Sequence, residues 1–569
     1  MSPTELPPFV LFFGAALLTP FLRGRVRGGI LLLVPLLGGL SLLGLEPGSY
    51  GQITVMGYRL TLMRVDKLSL LFGYLFHLAS FLAFLFAIHL KKEEGASLQH
   101  TAGLLYAGSA LGAVFAGDFI TLFVFWEILA LSSVFLVWAR GSRRSLTSGI
   151  RYLVVNVVSG VLLLAGAVVH VHQTGSIAFE YMGLGGIASW LILLSFGIKA
   201  GFPLLHNWLV DAYPEATPTG TVFLSAFTTK VAVYALARAF PGAELLVWVG
   251  VTMTVFPIFY AVIENDLRRV LSYSMINQIG FMVTGIGLGT ALSVNGAVAH
   301  AFNDVIFKGL LMMSMGAVLY RTGKINGTDL GGLYKSMPLT ATFSMVGAAS
   351  ISALPLFSGF VSKSMVMAAA LEGGHGWVWL LLLFASAGVV EHAGIKIPFF
   401  SFFAHDSGIR TREAPPNMLL AMGIAAVLCI AIGVFPQWTV YPLLPYAVEY
   451  VPYDTTHVVT QLQLLLFSSL GVFWMMRTGW YPPEKRSVNL DSDWVYRWLA
   501  PRVVGGVGTV VAVVDGGLRR LFLRGVGASL RRAGRVLSPT SGLSRHYPTG
   551  FMVIWVTILL GAYLLFYFL

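Results

Sequence analysis

Apolar residues occur along this chain in blocks about twenty long, divided by short polar loops. FITLFVFWEILALSSVFLVW, from Phe119 to Trp138, has Glu127 as its only charge, and FMVIWVTILLGAYLLFYFL runs from Phe551 to Leu569. Each reaches the ~20 residues with which a helix crosses a ~30 Å hydrocarbon layer. Reading every such block predicts about sixteen spanning helices in an all-α polytopic protein. Two stretches break the pattern. GSYGQITVMGYRLTL, within Gly48 to Arg64, alternates polar and apolar positions and predicts a small β-hairpin outside the membrane. Between Arg477 and Tyr547 the chain turns rich in Arg and Gly. Its run VVGGVGTVVAVV is too short to span, and Arg519, Arg520, Arg524, Arg531, Arg532 and Arg535 flank Leu518, Leu521, Phe522, Leu523 and Leu530. That pattern predicts an interfacial amphipathic helix, followed by one last span.

Composition narrows the class. Of 569 residues 56% are hydrophobic and 11% charged, against roughly 25% charged in soluble domains, so no water-soluble fold accommodates the chain. The formal charge of +12 does not indicate nucleic acid, because the basic residues sit in short loops and form no continuous patch. They orient the helices instead. With the N-terminus outside, the inside loops carry Arg23 to Arg27, Lys91 and Lys92, Arg140 to Arg144, Arg268 and Arg269, Arg321 to Lys335, and Arg410 and Arg412. Both termini are then expected in the periplasm of a bacterial inner membrane. The hairpin segment and Arg238 are exceptions to the charge rule. The first span shows no clear small-residue cleavage site and is expected to be retained. A single cysteine, Cys429, excludes disulfide frameworks and cysteine-ligated clusters within this chain. No cofactor is expected, and any redox chemistry belongs to a partner.

The candidate chemistry lies in charges placed inside spans, where an ionisable group costs ~2.5 to 3.5 kcal/mol and marks ion or proton paths. Glu127 is central in its block. Lys199 lies in SWLILLSFGIKAGFPLLHNWL, where Gly197, Gly201 and Pro203 predict a broken helix. Lys230 is mid-span. His300, Asp304 and Lys308 recur at intervals of four and predict one titratable helix face. WVWLLLLFASAGVVEHAGIKIPFFSFF carries Glu391, His392 and Lys396, with Gly394 and Pro398 interrupting the helix. GIKAGFP and GIKIPFF are candidate equivalents in two internal repeats. Buried ammonium groups release protons more readily, a nearby carboxylate restores their hold, and histidine relays between them. Such a chain moves cations, protons above all. Single lysines also satisfy carbonyls at helix breaks or snorkel to an interface, a reading that weighs more for Lys396, near a helix end, than for Lys199 or Lys230.

These residues together resemble the antiporter-like membrane subunits shared by respiratory complex I and the Mrp-type multisubunit cation/proton antiporters. The likeness covers roughly Asp66 to Ser401 and rests on DFITLFVFWEILALSS, GIKAGFPLLHNWLVDAYPEATPT, KVAVYALAR, DLRRVLSYSMINQIGF, AHAFNDVIFKGLLMM and ALPLFSGFVSK. It implies a core of about 14 helices with two inverted five-helix repeats, each with a broken helix. The expected divisions are 1–101 for N-terminal helices, 102–264 and 265–436 for the repeats, 437–484 for a further span, 485–546 for the basic lateral segment and 547–569 for the final span. The resemblance also implies that Glu127 and Lys199 form the charged pair of a first half-channel, that Lys230 is the connection, and that His300, Lys308 and Lys396 form the second half. Asp304, Glu391 and His392 are secondary members, and Asp304, standing where relatives place histidine, is a possible cation contact. GIKIPFF after a histidine looks most like the D-type Mrp subunit. The partners implied are further membrane subunits, lipid, protons and sodium or another monovalent cation. A proton-pumping subunit of a redox or hydrogenase complex, and a module energising inorganic carbon uptake, are the alternatives.

Overall fold

The computed structural model describes residues 6–90, 95–487, 489–538 and 548–568; Lys91, Lys92 and the junction 539–547 lie outside the described residues. Twelve helices among the described residues are long and apolar enough to cross a membrane. One of these is the 495–536 segment. The other eleven, with Pro8–Phe21, Ala96–Phe115, Leu267–Leu288 and the two broken helices 187–212 and 338–372, give the sixteen crossings that the apolar blocks predict.

Side-chain caps and left-handed glycines set the helix ends, and the same punctuation returns later in the chain. Asp118 caps Phe119–Trp138 and Asp266 caps Leu267–Leu288; Ser142 and Thr290 each cap a helix of 32 residues; Gly175 and Gly323 end those two helices. Short antiparallel bridges join Asp118 to Ala178 and Asp266 to Asn326. Every one of these pairs is separated by 148 residues (266 − 118, 290 − 142, 323 − 175, 326 − 178). Ala96–Phe115 has its counterpart in Glu244–Ile263 at the same offset. The repeating units therefore run from Ala96 to Ala239 and from Glu244 to Phe403. The expected division at 264/265 put Glu244–Ile263 in the wrong repeat. Five crossings per unit, an odd number, leave the second unit inverted relative to the first.

The two broken helices fall at matching places. Ile187–Ala200 stops at Gly201 (φ +79°) and the chain turns through Leu204 (φ +70°) before Asn207–Ala212. Pro338–Ile351 stops near Ala353 (φ +58°) and turns through Leu356 (φ +74°) before Ser358–Glu372. Both offsets are 152 (353 − 201, 356 − 204). In each turn a proline, Pro203 or Pro355, precedes the left-handed leucine. GIKAGFP thus corresponds to ASISALP and not to GIKIPFF. The GIKIPFF segment keeps a helical course with no left-handed residue, widening into π-type turns at Val390–Ile395 and Phe399–Phe403 on either side of Lys396–Pro398. Pro398 lacks an N–H and crowds the preceding turn, which a wide turn accommodates.

Strands Gly48–Val55 and Tyr58–Val65 form the expected antiparallel hairpin, paired from Gly48↔Val65 to Val55↔Tyr58. Met56 (φ +50°) and Gly57 (φ +84°) make its two-residue turn, whose twist suits the strands. The hairpin is tied to the repeat: Thr61 N–H donates to Asp118 Oδ2 at 2.7 Å and Arg64 to the Phe179 carbonyl at 2.8 Å. Asp66 then gathers Arg238 at 2.8 Å and Arg64 at 3.7 Å. The two basic exceptions to the charge rule thus share one carboxylate, which explains their place. Burial pushes the Asp66 carboxyl up, but Arg238, the Ser69 N–H and Arg64 together hold it below its ordinary range.

Residues 1–489 and 490–569 form separate compact units. In the second, a π turn at Val495–Leu499 leads into Ala500–Val536, a helix of 37 residues carrying the Arg519–Asp515 pair at 3.2 Å, and Thr549–Phe568 is the last helix. At ~1.5 Å per residue the long helix measures ~55 Å, nearly twice the ~30 Å hydrocarbon layer. That length suits the expected interfacial segment better than an upright span.

Candidate functional site

Glu127, half-buried on Phe119–Trp138, directs Oε1 at the backbone of Gly160 on the adjoining 32-residue helix, where a Cβ would overlap the carboxyl. That oxygen accepts no hydrogen bond among the described residues. Lys199 is fully buried in the last turn before the first helix break. Its ammonium donates to the Trp126 carbonyl at 2.5 Å and lies 4.4 Å from the Trp126 ring centroid. The lysine thus binds the residue beside Glu127, and the direct Glu127–Lys199 ion pair implied by resemblance is not among the pairs of the described residues. A buried polar ladder fixes the tryptophan: Trp126 Nε1 donates to Ser159 Oγ at 3.0 Å, and Ser159 donates to the Ser195 carbonyl at 2.8 Å.

The repeats meet at Lys230. Its helix is interrupted at Phe227, between Gly220–Ala226 and Thr228–Ala239. The ammonium donates to the Ser225 carbonyl at 3.2 Å and lies 2.6 Å from Asp304 Oδ2, both side chains being completely buried. Leaving either charge alone there would cost about 3–5 kcal/mol. Among the described residues no group of three His, Cys, Asp or Glu side chains gathers to hold a metal.

The side chains of the row His300, Asp304 and Lys308 on Ala291–Thr322 have separate partners: Asp304 turns to Lys230, while His300 and Lys308 reach different residues of Leu267–Leu288. His300 meets Ser362 Oγ at 2.9 Å through Nδ1 and Gln278 Oε1 at 3.2 Å through Nε2, while Lys308 donates to Ser274 Oγ at 2.8 Å. Gln278 continues into Asn277 at 2.5 Å, and Asn277 into the Thr254 carbonyl. Lys363, from beyond the second helix break, donates to the Ile351 carbonyl at 2.8 Å over the Phe281 ring. His392 is fully buried.

Lys396 lies against the end of Glu244–Ile263, donating to the carbonyls of Ala261 at 3.2 Å and Val262 at 2.6 Å. A helix C-terminus favours such a cation. Its counter-charge is Glu484, at 2.8 Å. Glu391, whose spacing of five from Lys396 fits a π turn, turns away and accepts from Tyr481 at 2.8 Å. The sequence reading missed Glu484, Tyr481 and Ser274. Ser274 is one hydroxyl among many in apolar blocks. Glu484, next to Pro482 and Pro483, reads as solvated loop, and the only signal was a carboxylate soon after an apolar block.

From Glu127 to Lys396 the protein thus holds titratable groups in both repeats, and Lys199, Lys230, Lys308 and Lys396 are each bound to hydroxyls, carbonyls or one opposite charge. Such groups can take up and hand on protons through neighbouring hydroxyls and water without exposing a free charge to lipid.

Residues 116–388 match the family described as NADH:quinone oxidoreductase/Mrp antiporter, TM. The A-type Na(+)/H(+) antiporter subunit of Alkalihalophilus pseudofirmus is 30% identical over 507 residues, an alignment spanning 78% of this chain and 62%, under two thirds, of that relative's length. Hydrogenase-4 component B of Escherichia coli is 25% identical over 550 residues, covering 85% of this chain and 80% of the relative. Among solved structures, a chain of the archaeal membrane-bound sulfane sulfur reductase superposes with a TM-score of 0.72 at 22% identity, covering 98% of this chain and 100% of the other, a likeness of fold. Over residues 116–388, and in its repeats and broken helices, the chain matches the antiporter-like membrane-subunit family shared by Mrp-type antiporters and respiratory complex I.

Proposed function

We propose that this chain is a proton-translocating subunit of a multisubunit monovalent cation/proton antiporter, Mrp D-like, set in a bacterial inner membrane with both termini in the periplasm. Protons pass along Glu127, Lys199, Lys230, His300, Lys308 and Lys396, with Asp304, Glu391 and His392 as secondary members, and partner subunits couple that flow to sodium or another monovalent cation. The observation that carries the reading is the fully buried Lys230–Asp304 pair at 2.6 Å, which links the repeats by charge. Asp304 releases Lys230 when it takes a proton and binds it again on losing one. The test is proton-coupled cation exchange by the assembled complex in inverted membrane vesicles. Glu127→Gln and Lys199→Ala are each expected to lower exchange at least about a hundredfold; exchange at the wild-type rate in either would end the reading.

A second reading is a proton-pumping subunit of a redox-driven complex. The long Ala500–Val536 helix with its following span, and the coverage of a hydrogenase component and of a sulfane sulfur reductase chain, favour it. Flavin or iron–sulfur proteins co-purifying with the chain would select this reading over the antiporter.

A further inference from the structure

Residues 479–487 and Asn489 follow the helix Thr455–Thr478 and return to the second repeat at four places. Gly479 (φ +75°) ends the helix, and the N–H groups of Trp480 and Tyr481 both turn back to the Met475 carbonyl. Pro482 and Pro483 then hold the chain extended. Tyr481 donates to Glu391, Glu484 pairs with Lys396, Arg486 pairs with Asp329, and Asn489 donates to Glu264 at 3.1 Å. The strap therefore closes over one end of the titratable series. The Lys396 and Glu484 side chains are only 1% and 7% exposed, and among the described residues neither Glu484 oxygen has a further hydrogen-bond donor. A carboxylate needed only to anchor a loop gains nothing from such a position, because its desolvation is costly.

We propose that Glu484 is the proton acceptor of Lys396, the terminal carboxylate of the path, delivered by a strap from outside both repeats. The inference rests on the proton-translocating reading above. In the step, an N–H bond of the Lys396 ammonium breaks and an O–H bond forms on Glu484, leaving a neutral amine and a neutral acid. The pair carries no net charge before or after, so the step moves no net charge into the apolar interior. Glu484 then yields the proton to water at the strap's edge, and the amine takes its next proton from the path. The Ala261 and Val262 carbonyls accept from Lys396 and keep its nitrogen beside Glu484. The other titratable or charged groups around the pair are Glu391 and His392 on the π turn, Tyr481, Arg486 and Asp329 at the strap, and Glu264 with Arg269 across from Asn489.

The test uses the full complex in inverted vesicles, with the assembled amount measured for every variant. Glu484→Gln is expected to lower exchange about tenfold or more, and Lys396→Ala/Glu484→Gln to fall no further than Lys396→Ala alone. Exchange within about twofold of wild type in Glu484→Gln, or an added loss in the double variant, would overturn the proposal. Glu484→Asp keeps the charge but draws it back, and is expected to restore part of the rate with a displaced pH profile. Should Glu484→Gln not assemble, that profile decides: one superimposable on wild type overturns the assignment. Glu127→Gln separates the two levels. If it abolishes exchange while Glu484→Gln does not, only the role of Glu484 fails; if it leaves exchange intact, the proton-path reading itself fails.

Discussion

Where its second and third helices cross, the first repeat sets a carboxylate against a glycine, and the second sets a lysine against a serine. The positions correspond at the 148-residue offset: Gly160 to Lys308 (308 − 160) and Trp126, beside Glu127, to Ser274 (274 − 126). Tyr152 and Asn156 likewise stand where the second repeat has His300 and Asp304 (300 − 152, 304 − 156). The caps, the 32-residue third helices and the breaks are shared, and the charges are not. A duplicated frame therefore fixes where two helices approach, while the side chain at the crossing decides whether a negative or a positive group enters. The lysines at the breaks differ in the same way. Lys199 precedes its break, whereas Lys363 reaches back from beyond the other to the carbonyl of Ile351, the counterpart of Lys199 (351 − 199 = 152).

The largest effect should come from the pair that joins the repeats. Asp304→Asn leaves Lys230 buried without its charge partner, and a loss of about 3–5 kcal/mol is expected in thermal unfolding of the purified complex. Lys230→Met/Asp304→Leu should recover most of that stability without recovering exchange. A double variant as unstable as Asp304→Asn would mean that the pair is not an isolated one.

Gly160→Ala probes the glycine side of the comparison. The added methyl must displace the Glu127 carboxyl, so exchange should drop severalfold and stability by about 1–3 kcal/mol. Ser274→Ala, at the lysine crossing of the second repeat, removes the hydroxyl that Lys308 binds and should cost about 1–3 kcal/mol without steric conflict. Equal structural disturbance at the two crossings, seen by cross-linking or spectroscopy, would dissolve the distinction.

The breaks offer a milder test. Gly201 and Ala353 occupy the same left-handed position, so Gly201→Ala should destabilise and Ala353→Gly stabilise, each by about 1 kcal/mol. The surroundings of Gly201 leave room for a methyl, its nearest neighbours being 3.7 Å from a Cβ, so backbone strain dominates. Unfolding midpoints moving in the same direction would show that the two turns are not equivalent.

The smallest effect is expected outside the repeats' interior, at the hairpin. The Asp66 carboxyl is held below its ordinary range in the folded protein, so its contribution is complete above the unfolded value near ~4 and is lost as pH falls through the folded one. Hydrogen exchange of the Gly48–Val65 amides, corrected for intrinsic rates, should be flat from about pH 8 to pH 5 and rise only below about pH 4. A rise near neutrality would assign the dock to another group.

Block length made the spans legible, because crossing ~30 Å demands a fixed run of apolar residues whatever their order. Alternation around Met56 and Gly57 made the hairpin legible for an equally local reason. The correspondence of the repeats was hidden for the opposite reason. GIKAGFP and GIKIPFF share letters, but the true counterparts share backbone angles at Gly201 and Ala353, which different residues adopt. The pairing of Lys396 with Glu484 was beyond local pattern altogether, since the chain must pass through two further helices before the carboxylate returns. Glu127 and Lys199 were legible singly as charges in apolar blocks, and only packing shows that the lysine takes the Trp126 carbonyl.

The two π turns around Lys396 also carry an arithmetic of phase. Each wide turn takes up about one residue more than an α-turn, and one residue is worth about 100° of rotation. Deleting Ala393 would allow an α-helical turn to form there and swing Lys396 about a quarter of the way round its axis, away from the Val262 carbonyl and Glu484. The azimuth of the terminal lysine is therefore set by a residue count, independently of the apolar helix that precedes it.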